Sequence, residues 1–445
     1  MNYFARTGRY FRVMRYQHRL LWLALPLVVG AGCRKDDADD APSIEILSPG
    51  DGSTLTLPDT LRATLRVSDD VSVEHVSISL VDAQGVAIAA GAGGSPGSSS
   101  ATVTLEMPVR SERIESGTYT LIATASDGNS DAHAYRNIHV TGIPLRLRAV
   151  FAVTSDGGTV GLSKIDSAGN VSAVTSWGMD LSGAAVSSYD QTLFISGAVT
   201  GPFMAIAPDD HTERWQKPNM GSLGAPYFSA LGLSGDTRPY ISTSDGYLRA
   251  YNALTGTGEL TAVIPTNFQA DHVLVVGERV FCTMHHLATQ QERIVTYQRS
   301  SGAPSTDLLI DLVPVALFQR SDNALLFFAN VNGHGVVEER SLELGGAWQP
   351  YAWSQPIVAA QRMSGDTWAV ALADGTLEFF LYSSAATFNA GNIPGLGDMA
   401  YDPLSGMLYA AAGTQVLAIN SITGQVAATY PIGSSVRYVL PLFNR

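Results

Sequence analysis

Cys282, His285 and His286 are the group in this 445-residue chain whose types and spacing suggest metal chemistry. On a strand, adjacent side chains face opposite sides, so His286 shares a face with Cys282 and His285 does not. A closed zinc site needs four ligands and a catalytic one three. No third ligand stands nearby, and the reading is a buried thiol beside surface histidines, with no metal. No Gly-x-Ser-x-Gly elbow, P-loop or His-Glu-x-x-His pattern occurs. Gly197-Ala-Val-Thr-Gly-Pro-Phe203 is rich in glycine, but no helix follows to receive a phosphate. Asp209, Asp210, Asp236, Asp245 and Asp374 fall in turns, where a carboxylate bonds its own backbone. No pair among them is singled out for acid–base work, and no catalytic residue is assigned. Trp215, Trp348, Trp353 and Phe388 fall in outer strands or their loops, where packing between sheets is favoured over a glycan platform.

The elements that would carry these residues repeat. Gly413-Thr-Gln-Val-Leu-Ala-Ile-Asn-Ser-Ile-Thr-Gly-Gln-Val-Ala-Ala-Thr-Tyr430 alternates apolar and polar residues on both sides of an Asn/Gly turn, the pattern of a β-hairpin. The same unit, with Asn and Thr-Gly in register, is Gly246-Tyr-Leu-Arg-Ala-Tyr-Asn-Ala-Leu-Thr-Gly256. Gly158–Gly169 is a third copy, and weaker ones end at Gly302 and Gly345. Hairpins turning near Asp210 and Ala386 complete the series, with steps of 38 to 46 residues. All-β repeats of that length form four-stranded propeller blades. Six complete sets of four strands fit between residues 183 and 431. Three strands over 146–176 lack an inner partner, and Ser435–Leu442 is one strand without a sheet. Joining them removes two open sheet edges. Residues 145–445 therefore predict a seven-bladed β-propeller closed by the C-terminal strand.

The repeat resembles those of quinoprotein-like and surface-layer propellers, Ala-x-Asn/Asp-x-x-Thr-Gly-x-Val. Members that hold pyrroloquinoline quinone carry a Trp shortly after the Thr-Gly, whereas Gln425-Val-Ala-Ala-Thr-Tyr430 has none. No cofactor is carried over, and the resemblance implies a docking platform, as in the outer-membrane assembly lipoprotein built from such repeats.

Ahead of the repeats, residues 43–142 hold seven short alternating strands separated by Gly, Asp and Ser turns, the pattern of a β-sandwich. Ser48-Pro-Gly-Asp-Gly-Ser53 and Ser116–Gly128 resemble bacterial Ig-like repeats, with Tyr119 at the corner-tyrosine position. Val86–Ala90 is expected to be a strand, and Gly91–Ser100, rich in Gly and Ser, a mobile loop. Asp69, Asp70, Asp127 and Asp131 are read as turn residues in preference to a calcium site, because their spacing is not diagnostic.

The first 32 residues carry five Arg and no acid, so the remainder is more acidic still than the whole chain, whose net charge is −13. That balance argues against nucleic acid as a partner. Leu20–Val29 is an apolar run too short for an ordinary membrane span and suited to a signal peptide over 1–32. Gly30-Ala-Gly-Cys33 resembles a bacterial lipobox, with Gly30 where Leu is usual, and implies that Cys33 is acylated. Arg34-Lys-Asp-Asp-Ala-Asp-Asp40 resembles the acidic export signal of surface lipoproteins of Bacteroidota, which assigns Lys35, Asp36 and Asp37 to export within a tether over 33–42. Cys282 is then the remaining thiol, and a disulfide framework is excluded.

The combined expectation is an all-β, non-enzymatic surface lipoprotein: acyl anchor, acidic tether, Ig-like β-sandwich and propeller. It is expected on the outer membrane, facing the exterior, with an outer-membrane protein complex or a surface glycan as partner. Lys217–Tyr227, with apolar Met220, Leu223 and Tyr227 among glycines, is the candidate contact segment, and Leu287–Glu292 is the other long insertion. The rival expectation is a lyase or glycosidase acting on polysaccharide, with its site in the central funnel.

Overall fold

The computed structural model describes residues 40–222, 224–233, 238–342 and 346–445. Cys33, Lys35, Asp36, Asp37, Leu223 and Asp236 lie outside the described residues, as do residues 1–32. The described chain is nearly all β, with one 3₁₀ turn at Tyr382–Ser384. It forms two compact units, one from 40–53, 61–107 and 119–138, the other from 54–60, 108–118 and 139–445.

The N-terminal strands make two sheets. One orders Ser43–Ser48, Asp59–Val73 and Ser98–Val109; the other orders Ser53–Thr56, Asp131–Thr141, Gly117–Ser126, His75–Val81 and Ala92–Gly94. Leu61, Ala63, Leu65 and Val67 alternate inward along one strand, with Arg62 and Arg66 outward, as a strand with one wet face requires. Two expectations fail here. Residues 91–100 do not form a loop throughout, because Ala92–Gly94 pairs with Val76–Ile78 and Ser98 opens a long strand. The glycines that suggested mobility permit that pairing: a Cβ on Gly91 would lie 2.8 Å from the Ile78 carbonyl oxygen. Val86–Ala90 contributes a single bridge, Val81 to Ala87, in place of a strand.

Beyond residue 146, the described residues form seven four-stranded antiparallel sheets, arranged as in a β-propeller. Sheet 1 orders Val171–Trp177, Val160–Asp166, Leu147–Ser155 and Val436–Phe443. Sheet 2 takes Gly183–Ser187, Thr192–Ser196, Phe203–Ile206 and Glu213–Lys217; sheet 3 takes Phe228–Leu233, Pro239–Thr243, Tyr247–Tyr251 and Gly258–Val263. Sheet 4 takes Phe268–Val276, Arg279–His286, Glu292–Gln298 and Pro304–Ile310; sheet 5 takes Val313–Ser321, Ala324–Val331, His334–Ser341 and Ala347–Ala352. Sheet 6 takes Ile357–Arg362, Thr367–Leu372, Thr376–Leu381 and Ala386–Asn392; sheet 7 takes Leu396–Asp402, Met407–Ala412, Gln415–Asn420 and Val426–Pro431.

The leading strands of successive sheets lie side by side, and Val436–Phe443 touches the leading strands of both sheet 2 and sheet 7, closing the cycle. An apolar core separates each neighbouring pair, including one of Val150, Ala152, Tyr409, Ala411 and Val439 between sheets 7 and 1. Second strands are covered on both faces, so Thr192–Ser196 and Pro239–Thr243 are buried throughout and read as continuous runs instead of alternating ones.

The repeat turn has two working residues. Asn252 Oδ1 accepts the N–H groups of Leu254 and Thr255, and Asn420 Oδ1 those of Ile422 and Thr423. The glycine that follows adopts positive φ and presses on the outer strand of the preceding sheet. A Cβ on Gly424 (φ 73°) would lie 2.6 Å from Ala390 Cβ, and one on Gly256 (φ 68°) 2.7 Å from the Trp215 ring. The motif thus couples turn geometry to packing between sheets.

Candidate functional site

An open cavity of ≈ 830 Å³ lies where the leading strands meet. Six of the sheets supply residues to it, and the segment leading into sheet 2 supplies Asp180 and Leu181. Arg437 and Tyr438 come from sheet 1, Asp180 from the approach to sheet 2, Leu231 from sheet 3, His272 from sheet 4, Leu317 and Phe318 from sheet 5, Val358 from sheet 6 and Asp398 from sheet 7. The size is that of a ligand pocket, roughly 300–1,000 Å³.

Its polar groups differ in how far they are committed. Asp180 is spent on structure: its carboxylate accepts the N–H groups of Ala198, Val199 and Thr200 and the Thr200 hydroxyl, at 2.7–3.0 Å. Burial would raise its carboxyl, but those four bonds outweigh it and hold it below the usual range. His272 Nε2 lies 3.1 Å from the Pro314 carbonyl oxygen, which can only accept, so Nε2 carries the proton. Burial pushes this imidazole down, against the Pro314 bond and the nearby Asp271 charge, so it is neutral near pH 7.

Asp398 is the exception among the acids. Its Oδ2 accepts the Val439 N–H at 2.8 Å, which ties sheet 7 to the C-terminal strand. Burial nevertheless pushes its carboxyl up to about 7, against the Val439 and Met399 N–H groups. Tyr438 donates its hydroxyl to the Ser182 carbonyl at 3.2 Å, tying the same strand to sheet 2. Burial, then the Asp398 charge, raises this phenol to about 12. Arg437 is exposed and forms no ion pair among the described residues. The hub therefore offers a free guanidinium, a carboxyl poised to titrate near neutrality and a neutral imidazole, set among aliphatic walls.

The residues singled out in the sequence lie elsewhere. Met220 is 75% exposed, but Tyr227 is buried at 7%, with its ring 4.7 Å from that of Phe228 and its hydroxyl donating to Asp245. Tyr227 immediately precedes the leading strand of sheet 3 and packs with Phe228 into the core shared with sheet 2, so its ring belongs to the core. Cys282 is fully buried, and burial pushes its thiol up. His286 accepts the Ala288 and Thr289 N–H groups and stacks edge-on against Phe268, whereas His285 Nδ1 sits 2.9 Å from both Asp271 oxygens. The histidines and the thiol are not brought together on one ligand. Trp215 and Trp353 are buried between sheets, their indole N–H groups donating to the Ala253 carbonyl and to Glu378, while Trp348 and Phe388 are about half exposed. Asp245 grips Arg249 through both oxygens, Asp209 pairs with Arg148, and Asp210 and Asp374 cap their turns. In the N-terminal unit, Asp69 and Asp127 likewise accept turn N–H groups. Leu287–Glu292 closes a tight hairpin, its Gln290 N–H bonded to the His286 carbonyl.

Sequence reasoning missed the hub set. One signal was available: Asp398, His272 and Arg437 are ionisable residues inside leading strands and not in turns.

No family model matches the chain, and no curated protein matches it in sequence. Among solved structures, a quinoprotein alcohol dehydrogenase-like protein from Bacteroides thetaiotaomicron is similar over 91% of this chain and 99% of its own, at 12% identity and a TM-score of 0.46. BamB from Moraxella catarrhalis is similar over 66% of this chain and 93% of its own, at 12% identity and TM-score 0.42. The dihydro-heme d1 dehydrogenase NirN in complex with DHE is similar over 64% and 63%, at 14% identity and TM-score 0.46. Likenesses this distant carry nothing about activity.

Proposed function

We propose that the chain is a non-enzymatic cell-surface lipoprotein: an acyl anchor on Cys33, an export signal at Lys35, Asp36 and Asp37, an Ig-like stalk and a seven-bladed propeller head that binds a protein or glycan partner at the outer membrane. The observation that carries the binding role is the open hub cavity, to which six sheets and the approach to sheet 2 contribute and where Arg437 forms no ion pair among the described residues. A free cation and aliphatic walls in one concave site suit a partner group that is both polar and apolar. Met220, exposed on the segment between sheets 2 and 3, is a second contact.

The test is purification of the full chain from membranes in mild detergent, beside Val358→Asp, which puts a charge on the cavity wall at a residue 44% exposed. A partner retained by the native chain and depleted at least tenfold by the variant supports the reading. The polysaccharide-enzyme alternative keeps one observation in its favour, the placement of Asp398 and His272 in the same cavity. Turnover of a polysaccharide or glycoside that Asp398→Asn abolishes would replace the binding reading with that one.

A further inference from the structure

Sheets 4 and 5 do not meet flush. A slot of ≈ 220 Å³ opens between them, away from the hub. Its floor is Phe281, Ile294, Leu325 and Phe327, each at most 4% exposed, so the slot is deep with an apolar base, while Thr296, Ser305 and Thr306 add hydroxyls to its lining. Its volume is below the roughly 300–1,000 Å³ of sites that engulf a whole small molecule, and suits a single anchoring side chain.

The rim has a sign. Arg279 and Arg340 both border the slot. Arg340 is tied to Glu338 Oε1 through Nε and Nη2, at 3.0 and 2.7 Å. Arg279 is exposed and makes no side-chain hydrogen bond or ion pair among the described residues. On a chain of net charge −13, an unpaired arginine beside a slot with an apolar base is a local reversal of charge. Carboxylates are repelled by the chain as a whole and favoured at this point. An apolar anchor in a pocket with a charge-assisted contact at its edge is how short extended segments are held.

We infer that the slot between sheets 4 and 5 is a docking site for a partner-protein peptide that inserts one apolar side chain and presents an adjacent Asp or Glu to Arg279. It does not depend on the hub reading. Recognition is local, so the segment needs an aliphatic or aromatic anchor with acids within a residue or two. A basic flank is disfavoured by Arg279 itself.

The experiment pans a random decapeptide display library on the immobilised full chain. Three forms are compared: native, Arg279→Glu, and Thr306→Trp, which sets an indole over the slot from an exposed position on its rim. The native chain is expected to enrich peptides with one apolar residue flanked by Asp or Glu. Arg279→Glu, on the surface and harmless to the fold, is expected to lower their affinity at least tenfold and to enrich Lys- or Arg-flanked anchors in their place. Thr306→Trp is expected to abolish both, with unchanged circular dichroism. No enrichment on the native chain, enrichment of basic-flanked or purely apolar peptides there, or selection indifferent to both substitutions would overturn the inference.

Discussion

At the residue scale, Asp398 is the hub acid whose environment works against the charge it carries, as burial also does at Glu292 in sheet 4. The Asp398 carboxyl titrates near 7 in the folded chain and near 3.9 when unfolded. Between those values the folded state binds the extra proton, so stability falls as pH rises through the window and is fully regained below it. Asp398→Asn removes that slope while keeping an oxygen for the Val439 N–H. At pH 8 the variant is expected to be more stable than the native chain, by at most about 4 kcal/mol and less to the extent that the cavity admits water. At pH 4 the two should unfold alike. Urea titrations at both pH values check this, and parallel curves with no gain at pH 8 would mean that Asp398 is ionised without penalty. A carboxylate kept at such a cost belongs with function more than with ring closure. The turn glycines make a second test. Gly424→Ala meets both a positive φ and the Ala390 backbone, whereas Gly413→Ala, at φ 59° with open space around it, meets the strain alone. Gly413→Ala is expected to cost about 1 kcal/mol and Gly424→Ala roughly 1–3 kcal/mol more. Equal midpoints in urea would show that the motif serves only the turn.

At the element scale, the C-terminal strand Val436–Phe443 is the piece on which the head depends. It pairs with Leu147–Ser155, and its backbone is pinned on either side by Asp398 and by the Ser188 hydroxyl, which accepts the Phe443 N–H at 2.9 Å. Val436, Val439, Leu440 and Leu442 on it are buried. At about 1.5–3 kcal/mol for each buried side chain, their loss rivals the 5–15 kcal/mol that holds a domain together. Deleting residues 435–445 is expected to abolish the cooperative thermal transition of the head and expose it to protease; a truncated chain with an unchanged transition would contradict closure. Much of this element arrangement was legible beforehand. Strands announce themselves by period two, and the Asn and Thr-Gly of the turn by their fixed offsets. The unpaired set at 146–176 and the lone strand at 435–442 fitted each other because open edges are costly. What could not be read was orientation. Tyr227 sits on a strand end whose neighbours are Gly, Ala and Pro, and nothing local fixes which way it turns. The glycines at 91–94 looked like slack, yet they let one backbone approach another.

At the scale of the whole molecule, the hub is an emergent feature. Asp180, His272, Asp398 and Arg437 span more than 250 residues of chain and share no motif. They meet because each lies at a leading strand, and only a closed cycle of sheets gives those strands a common centre. That is why chemistry sought in local spacing, at Cys282 with His286, found a buried thiol and a histidine that caps its own turn while the hub went unseen. The anchoring proposal is tested on the same scale: Cys33→Ala is expected to yield a soluble or uncleaved product, and a variant that still fractionates as a mature membrane protein would contradict it. The binding role of the hub is tested most directly by photocrosslinking in intact cells, with a benzophenone amino acid at Val358 on the cavity wall and, as a control, at Val71, which is 69% exposed in the N-terminal unit. A discrete adduct with an envelope component from position 358, absent from position 71, is the predicted result; no adduct from 358, or the same adducts from both positions, would contradict it.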